Sequence, residues 1–175
     1  AVLYAPSGTV ALTSVASPCL IPVSAPWTSS EGISRWGDIT AFHSTIAADG
    51  IGQGGIFIRG GRFFGDEAVL QVVNKSGSKG GGIDVRLDGS LTMHGGLLYT
   101  NADPGDGGDI RVRASDVLLY AGTRFGTNTS TVARAGDINI SAPGVVKVSG
   151  SGGGYRSAVM SSTTVTGRGG DIIID

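Results

Sequence analysis

The sequence is poor in charged side chains and has a single cysteine. Charged residues make up 15% of the chain, against about a quarter in average soluble proteins. The formal net charge is −1, so no strong field attracts nucleic acid, and we expect no nucleic-acid partner. Cys19 alone cannot support a disulfide framework or a cysteine-based zinc site.

Long hydrophobic runs are also missing. None approaches the roughly 18 apolar residues of a membrane span, so the sequence predicts no transmembrane segment. The opening residues, AVLYAPSGTV, lack the basic and apolar regions of a signal peptide. The closing residues, GGDIIID, break off just after a strand pattern begins. We therefore expect this chain to be a segment of a longer protein.

Glycine and β-branched residues are abundant instead. There are 31 glycines in 175 residues, and 40% of the residues are apolar. Glycine-rich composition can indicate disorder, but here the apolar residues recur at even spacings. This combination predicts a turn-rich, all-β protein.

A Gly-[Gly/Asp]-Ile motif repeats along the chain. The anchor isoleucines are Ile56, Ile83, Ile110, Ile138 and Ile172, separated by 27, 27, 28 and 34 residues. The long last interval contains SGSGGGY (149–155), whose composition is typical of a loop. A repeat of this length indicates stacked structural units.

Each repeat contains three strand patterns. The positions two and four residues after each anchor are small or apolar, which predicts a strand with one buried face. A second pattern follows at Leu91 with Met93, and again at Val117 with Leu119 and Val146 with Val148. Counting back 13 residues from the later anchors predicts the inward residues of a third strand: Leu70, Leu97, Phe125 and Val159.

Three short strands per repeat fit either a propeller or a parallel β-solenoid. Stacked coils place equivalent positions about 4.8 Å apart, which favours columns of like residues such as those found here. Propeller blades would need about 40 residues and tight hairpins, and Asn-Gly turns are scarce. We therefore predict a parallel β-helix with about 27 residues per coil over residues 37–175.

The first 36 residues fit the repeat less well. They hold four of the six prolines, and we predict an irregular segment over 1–36 with a strand near Thr9 to Val15. Ile39 and Ala41 are predicted in a second-type strand, and Ile46 at the start of a third-type strand.

Several segments resemble filamentous-haemagglutinin-like exoproteins of two-partner secretion systems. IDVRLDGSLTMHGGLLYT, GGDIRVRASDVLLYAGTRF and SAVMSSTTVTGRGGDIIID are similar to coils of that family. VALTSVASP, GGIFIRGGRF and SGSKGGGIDV resemble the region that follows the secretion domain. The resemblance covers most of residues 7–175. It departs at Cys-Leu-Ile (19–21), where the family pattern has a glycine-led turn.

The resemblance implies a right-handed β-helix, secretion across a Gram-negative outer membrane, and a role in adhesion or surface structure. It implies no catalytic residues and no cofactor. There is no Asn-Pro-Asn secretion motif, so we expect the region that engages the outer-membrane transporter to lie outside this segment.

Four groups of polar or glycine residues are candidate sites. Gly50, Gly52 and Gly55 spell G-x-G-x-x-G, but a strand rather than a helix is expected after them, so they are interpreted as turn residues. The aspartates before three anchors could form a calcium ladder, although capping of turn amides is favoured; they are Asp109, Asp137 and Asp171. His43 and His94 lack metal-ligand spacing. The sequons at Asn74, Asn128 and Asn139 are interpreted as chance.

Three arginines occupy equivalent outward positions in successive coils. Arg59, Arg86 and Arg113 each lie three residues after an anchor, and they predict an outward ridge next to Arg111. Asp84 and Asp88 would partly neutralise it. The ridge is either a solvated face or a weak site for acidic glycans of a host or matrix.

Two function classes remain. The first is a non-catalytic adhesin stalk or extracellular filament component, secreted or held at the cell surface. The alternative is a carbohydrate-active β-helix enzyme, a polysaccharide lyase or hydrolase, which needs clustered acids flanked by long loops. The only long insertion carries no acid. Unpaired strand edges at both ends of a solenoid further predict end-to-end association into homo-oligomers or filaments.

Overall fold

Parallel strands stacked coil upon coil make up the described chain. The computed structural model describes residues 1–18 and 32–175. The described part contains no helix, and hence none with the length and hydropathy of a membrane-spanning helix. The predicted all-β solenoid is therefore confirmed.

Within residues 1–18 and 32–175, three parallel sheets form the sides of the solenoid, and one antiparallel hairpin lies beside them. The first sheet contains β2 (Thr9–Thr13), β5 (Gly55–Gly60), β8 (Ile83–Leu87), β11 (Ile110–Arg113), β14 (Ile138–Ser141) and β19 (Ile172–Ile174). The second contains β3 (Ile39–Phe42), β6 (Phe63–Asp66), β9 (Leu91–His94), β12 (Val117–Tyr120) and β15 (Val146–Val148). The third contains β1 (Val2–Tyr4), β4 (Thr45–Ala47), β7 (Val69–Asn74), β10 (Leu97–Ala102), β13 (Arg124–Thr129) and β18 (Ala158–Thr163). The hairpin is β16 (Ser151–Gly152) with β17 (Tyr155–Arg156), and they pair antiparallel.

The core runs along the solenoid axis as columns of like side chains. On the first sheet Ile56, Ile83, Ile110 and Ile138 are paired coil to coil, and all are buried. On the second sheet Leu91 and Val117 form an equivalent buried pair. Removing this apolar area from water is the main favourable contribution to stacking.

One predicted core position is wrong. Leu98, not Leu97, pairs with Leu70 and Phe125 and is fully buried, while Leu97 is half-buried on the outer face. The separation along the chain between Leu98 and Ile110 is one residue shorter than that between Leu70 and Ile83. A fixed count of 13 therefore slips by one here, and a one-residue slip moves a strand residue to the opposite face.

The N-terminal residues also join the sheets. The strand predicted near Thr9 is β2, which pairs in parallel with β5. β1, which the sequence pattern did not predict, pairs with β4. Ile39 and Ala41 lie in a second-sheet strand and Ile46 in a third-sheet strand, as predicted. The departure at 19–21, including Cys19, lies outside the described residues.

The motif glycines are required by close stacking. A Cβ on Gly81 would overlap the carbonyl oxygen of Gly54, and one on Gly108 would overlap that of Gly81. Gly136 and Gly170 stand in the same relation to the coil before them. Any side chain at this column would push adjacent coils apart, which explains the invariance of the motif glycine among the five repeats.

Candidate functional site

The arginines predicted to form a ridge do align. Arg59 pairs with Arg86, and Arg86 pairs with Arg113, on neighbouring strands of the first sheet. The register of the predicted column is therefore confirmed.

Arg59, however, is not on the surface. The residue is 4% exposed. Its Nη1 donates to the carbonyl oxygen of Ile58 at 2.8 Å and to that of Asp84 at 3.1 Å. Burial lowers the pKa of Arg59 below its ordinary value, although the nearby Asp84 carboxylate opposes this shift. A position that points away from the core need not meet solvent, so the prediction of a ridge of three exposed arginines is wrong.

The carboxylate of Asp84 is shared between two guanidinium groups. Arg59 Nη1 lies 3.4 Å from Asp84 Oδ1, and Arg86 Nη2 lies 3.1 Å from Asp84 Oδ2. Arg111 is paired with Asp109 at 2.8 Å. Of the predicted ridge and its neighbour Arg111, only Arg113 has no carboxylate partner among the described residues. This face therefore offers one unpaired cation rather than a row of them.

The aspartate column connects successive coils. Asp109 Oδ1 accepts the backbone N–H of Asp137 at 3.1 Å, and Asp137 Oδ1 accepts that of Asp171 at 2.7 Å. Capping of backbone amides, the favoured interpretation of this column, is confirmed for Asp109 and Asp137; among the described residues the carboxylate of Asp171 accepts only from Arg134. Each of the two capping carboxylates satisfies a donor of the next coil, which is a stronger bond than a neutral pair would form.

The same bond recurs at other corners of the solenoid. The additional pairs, carboxylate first, are Asp38 with Arg62 N, Asp49 with Val73 N, Asp106 with Arg134 N, and Asp116 with Val145 N. In every case the acceptor belongs to the earlier coil. Half of the twelve aspartates of the sequence thus bond a backbone amide of the next coil.

Basic side chains neutralise the aspartate column. Lys79 Nζ and Arg111 Nη2 contact Asp109, and Arg134 Nη2 contacts both Asp137 and Asp171. The hydrogen bond from Arg134 lowers the pKa of Asp137, as that from Arg62 lowers the pKa of Asp38. Within residues 1–18 and 32–175, no group of three or more His, Cys, Asp or Glu side chains is placed to hold a metal ion.

The two histidines lie at the corner between the second and third sheets. His43 Nδ1 is 2.9 Å from Glu67 Oε2, and His94 Nδ1 is 3.1 Å from Asp66 Oδ1. Both histidines are largely exposed. Each contacts a carboxylate of a neighbouring coil, so the histidines take part in corner contacts between coils.

The remaining motif residues lie in turns and strands. Gly50 forms an isolated parallel bridge with Asn74, Gly52 lies in the bend that follows, and Gly55 begins β5, so a strand follows the G-x-G-x-x-G motif as predicted. Asn74 is buried, and its Nδ2 donates to the carbonyl oxygen of Ser78 at 2.7 Å. Asn128 and Asn139 lie in β13 and β14.

A groove on the outer face of the third sheet was not predicted. Gly126 faces outward between Tyr99 of the preceding coil and Met160 of the following coil. Because glycine has no side chain, a depression of about 320 Å³ opens there, with Arg124 and Asn128 along the same strand. We call it the Gly126 notch. An isolated glycine inside a strand pattern is the signal that could have pointed to it.

A second depression adjoins the Gly126 notch at the corner. The β16–β17 hairpin places Tyr155 over the guanidinium of Arg124, with 4.9 Å from Arg124 Cζ to the ring centroid. Both depressions are lined by Leu97 and Arg124. Among the described residues, Glu67 is the only carboxylate that lines either depression.

Comparison of the chain with protein-family models, with curated proteins and with solved structures finds no match.

Proposed function

We propose that this chain is a non-catalytic segment of a secreted bacterial surface protein, serving as an adhesin stalk or as a component of an extracellular filament. One observation carries the proposal: the aspartates at the corners bond the amides of the next coil. This use of carboxylates, together with the columns of the core, favours a stiff rod built by repetition.

The resemblance to filamentous-haemagglutinin-like exoproteins supports the cellular setting. In this proposal the parent protein crosses the outer membrane of a Gram-negative-type bacterium through a partner transporter. The transporter engages a region of the parent outside this segment. The segment then lies at the cell surface or in the extracellular matrix.

The distribution of acids speaks against the alternative of a polysaccharide lyase or hydrolase. Most glycoside hydrolases use two carboxylates that flank the scissile bond. The two depressions on the third sheet contain one, Glu67, and its Oε2 is 2.9 Å from His43 Nδ1. This arrangement supports a binding or structural face.

Surface labelling of intact cells tests the location. An antibody against the folded segment should label intact cells of the source bacterium, and external protease should remove the signal. Disrupting the partner transporter gene should abolish labelling while the protein remains inside the cell. Labelling only after permeabilisation would contradict the proposal.

A polysaccharide panel tests the absence of catalysis. The purified chain is incubated with plant, algal and bacterial polysaccharides, and reducing ends and unsaturated products are measured. We expect neither. Turnover that disappears in Glu67→Gln would support the enzyme alternative instead.

A further inference from the structure

We propose that the Gly126 notch, with Arg124 and Tyr155 at its edge, binds a saccharide that carries a carboxylate. This goes beyond the structural role proposed above, because a stalk or filament segment needs no such site.

The charge of Arg124 is the first support. Five described arginines have no carboxylate partner: Arg35, Arg113, Arg124, Arg156 and Arg168. Of these only Arg124 is half-buried; the others are exposed. Partial burial strengthens the attraction of a guanidinium for an anion, and its planar fork fits a carboxylate through two parallel hydrogen bonds.

Contacts within the protein hold this guanidinium in place. The ring of Tyr155 covers it at 4.9 Å, and its Nη2 lies 3.4 Å from Met160 Sδ. Neither the ring face nor the thioether neutralises the charge. The donors of Arg124 are thus oriented in advance, and a ligand gains affinity when less ordering is needed on binding.

Aromatic rings supply an apolar platform beside the cation. Tyr99 is half-buried at one wall of the Gly126 notch, and Tyr155 is 58% exposed on the hairpin. Small-molecule sites combine aromatic surface with a few placed polar groups. The C–H faces of a pyranose ring suit such a platform, whereas an inorganic anion has no use for it.

A row of polar side chains supplies partners for sugar hydroxyls. Asn128 Nδ2 donates to Asn101 Oδ1 at 3.0 Å, and Ser162 Oγ donates to Asn128 Oδ1 at 3.2 Å. These bonds fix the orientation of both amides. They leave one N–H of Asn128, which lines the Gly126 notch, for a ligand, since an amide nitrogen carries two donors.

The one carboxylate near the proposed site among the described residues, Glu67, does not lie in the Gly126 notch. Glu67 lines the adjoining corner depression, not the Gly126 notch, and it contacts His43. The carboxylate of the saccharide is therefore assigned to the side of Arg124 that faces Gly126, and the uncharged face of the sugar to Tyr155.

Calorimetric titration with defined uronic acid oligosaccharides tests the assignment. The panel holds tetramers of galacturonate, mannuronate and glucuronate-containing repeats, each beside its methyl ester, which keeps the sugar and removes the charge. At least one acid form should bind at least about tenfold more tightly than its ester, and its affinity should fall with added salt. No binding of any acid form, or equal binding of acid and ester, overturns the proposal.

Two variants of the groove have matched controls elsewhere on the solenoid. Arg124→Gln should weaken binding at least about tenfold. Lys147→Gln should not, although Lys147 lies over the ring of Tyr120 at 5.5 Å in a similar arrangement on the second sheet. Tyr155→Ala should weaken binding and Tyr120→Ala should not. Equal losses within either pair would overturn the assignment to this groove.

Filling the notch gives an independent test. A Cβ at Gly126 would lie 3.3 Å from Tyr99 Cδ2 and 3.7 Å from Met160 Cγ, so Gly126→Val occupies the depression. Valine suits a strand, and an unchanged thermal melt verifies folding; Gly126→Ala replaces it if the melt changes. Unaltered binding in a folded variant overturns the proposal. If all these binding tests fail, the surface-labelling prediction still stands. The saccharide site and the proposed surface location can therefore be refuted independently.

Discussion

Arg59 Nη1 lies 3.4 Å from Asp84 Oδ1, and the side chain of Arg59 is only 5% exposed. Arg86 Nη2 also contacts this carboxylate, at 3.1 Å from Asp84 Oδ2. A guanidinium buried in this way depends on its counter-charge, because an unpaired buried charge is costly.

We expect Asp84→Ala to be strongly destabilising. Removing one partner of a buried ion pair costs roughly 3–5 kcal/mol, and urea unfolding measures it. Asp88→Ala is the matched control, since Asp88 is exposed and forms no ion pair among the described residues; it should change stability by under about 0.5 kcal/mol. Equal effects of the two substitutions would show that Arg59 does not need Asp84.

The glycine column gives a second prediction. Gly108→Ala places a methyl group against the carbonyl oxygen of Gly81, and the forced separation of coils should cost about 2 kcal/mol or more. Gly77→Ala is the control, because a Cβ there meets nothing within 4 Å. Thermal melts of both variants distinguish the two sites. A Gly108→Ala variant as stable as Gly77→Ala would refute the close stacking of this column.

Acid should weaken the aspartate column. The hydrogen bond from Arg134 lowers the pKa of Asp137 below its ordinary value of 3.8. The folded state therefore gains stability from the ionised carboxylate above that value, and it loses this gain as the pH falls through the lower folded pKa.

The difference in urea midpoint between the wild type and Asp137→Asn reports this contribution. The difference should be constant from pH 7 to about 5 and shrink below pH 3.8. Asp88→Asn, at an exposed aspartate that forms no ion pair among the described residues, should change the urea midpoint little at pH 7. If the difference in urea midpoint between the wild type and Asp137→Asn grew as the pH fell, the assigned direction of the pKa shift of Asp137 would be wrong.

The exposed edge of β19 predicts self-association of the purified chain. Ile172, Ile173 and Ile174 are 43%, 54% and 49% exposed, and an apolar strand edge pairs readily with another strand. In light scattering, the apparent molecular mass of the wild type should rise with protein concentration. The double substitution Ile172→Lys with Ile174→Pro should abolish this rise. Ile51→Lys, at an exposed isoleucine outside any strand, should have no effect. A monomeric wild type at high concentration would argue against end-to-end stacking.

The sequence by itself determined the solenoid. The repeated isoleucines predicted which residues pair between coils, and the aspartates before them predicted the capping of turn amides, because both follow from spacing along the chain. A fixed spacing of 13 residues wrongly placed Leu97 in the core. The segment that follows is shorter by one residue in this coil, so the inward residue is Leu98 and Leu97 lies on the outer face.

Only the tertiary structure decided what lies beyond the outward faces. Alternation shows that Arg59 points away from the core, but its burial depends on which groups pack over it. The Gly126 notch likewise joins Tyr99 and Met160, which are 27 residues before and 34 residues after Gly126, with Tyr155 from an inserted hairpin at its edge. The isolated glycine within a strand pattern marks the position of such a notch, but stacking of coils of unequal length decides which side chains line it.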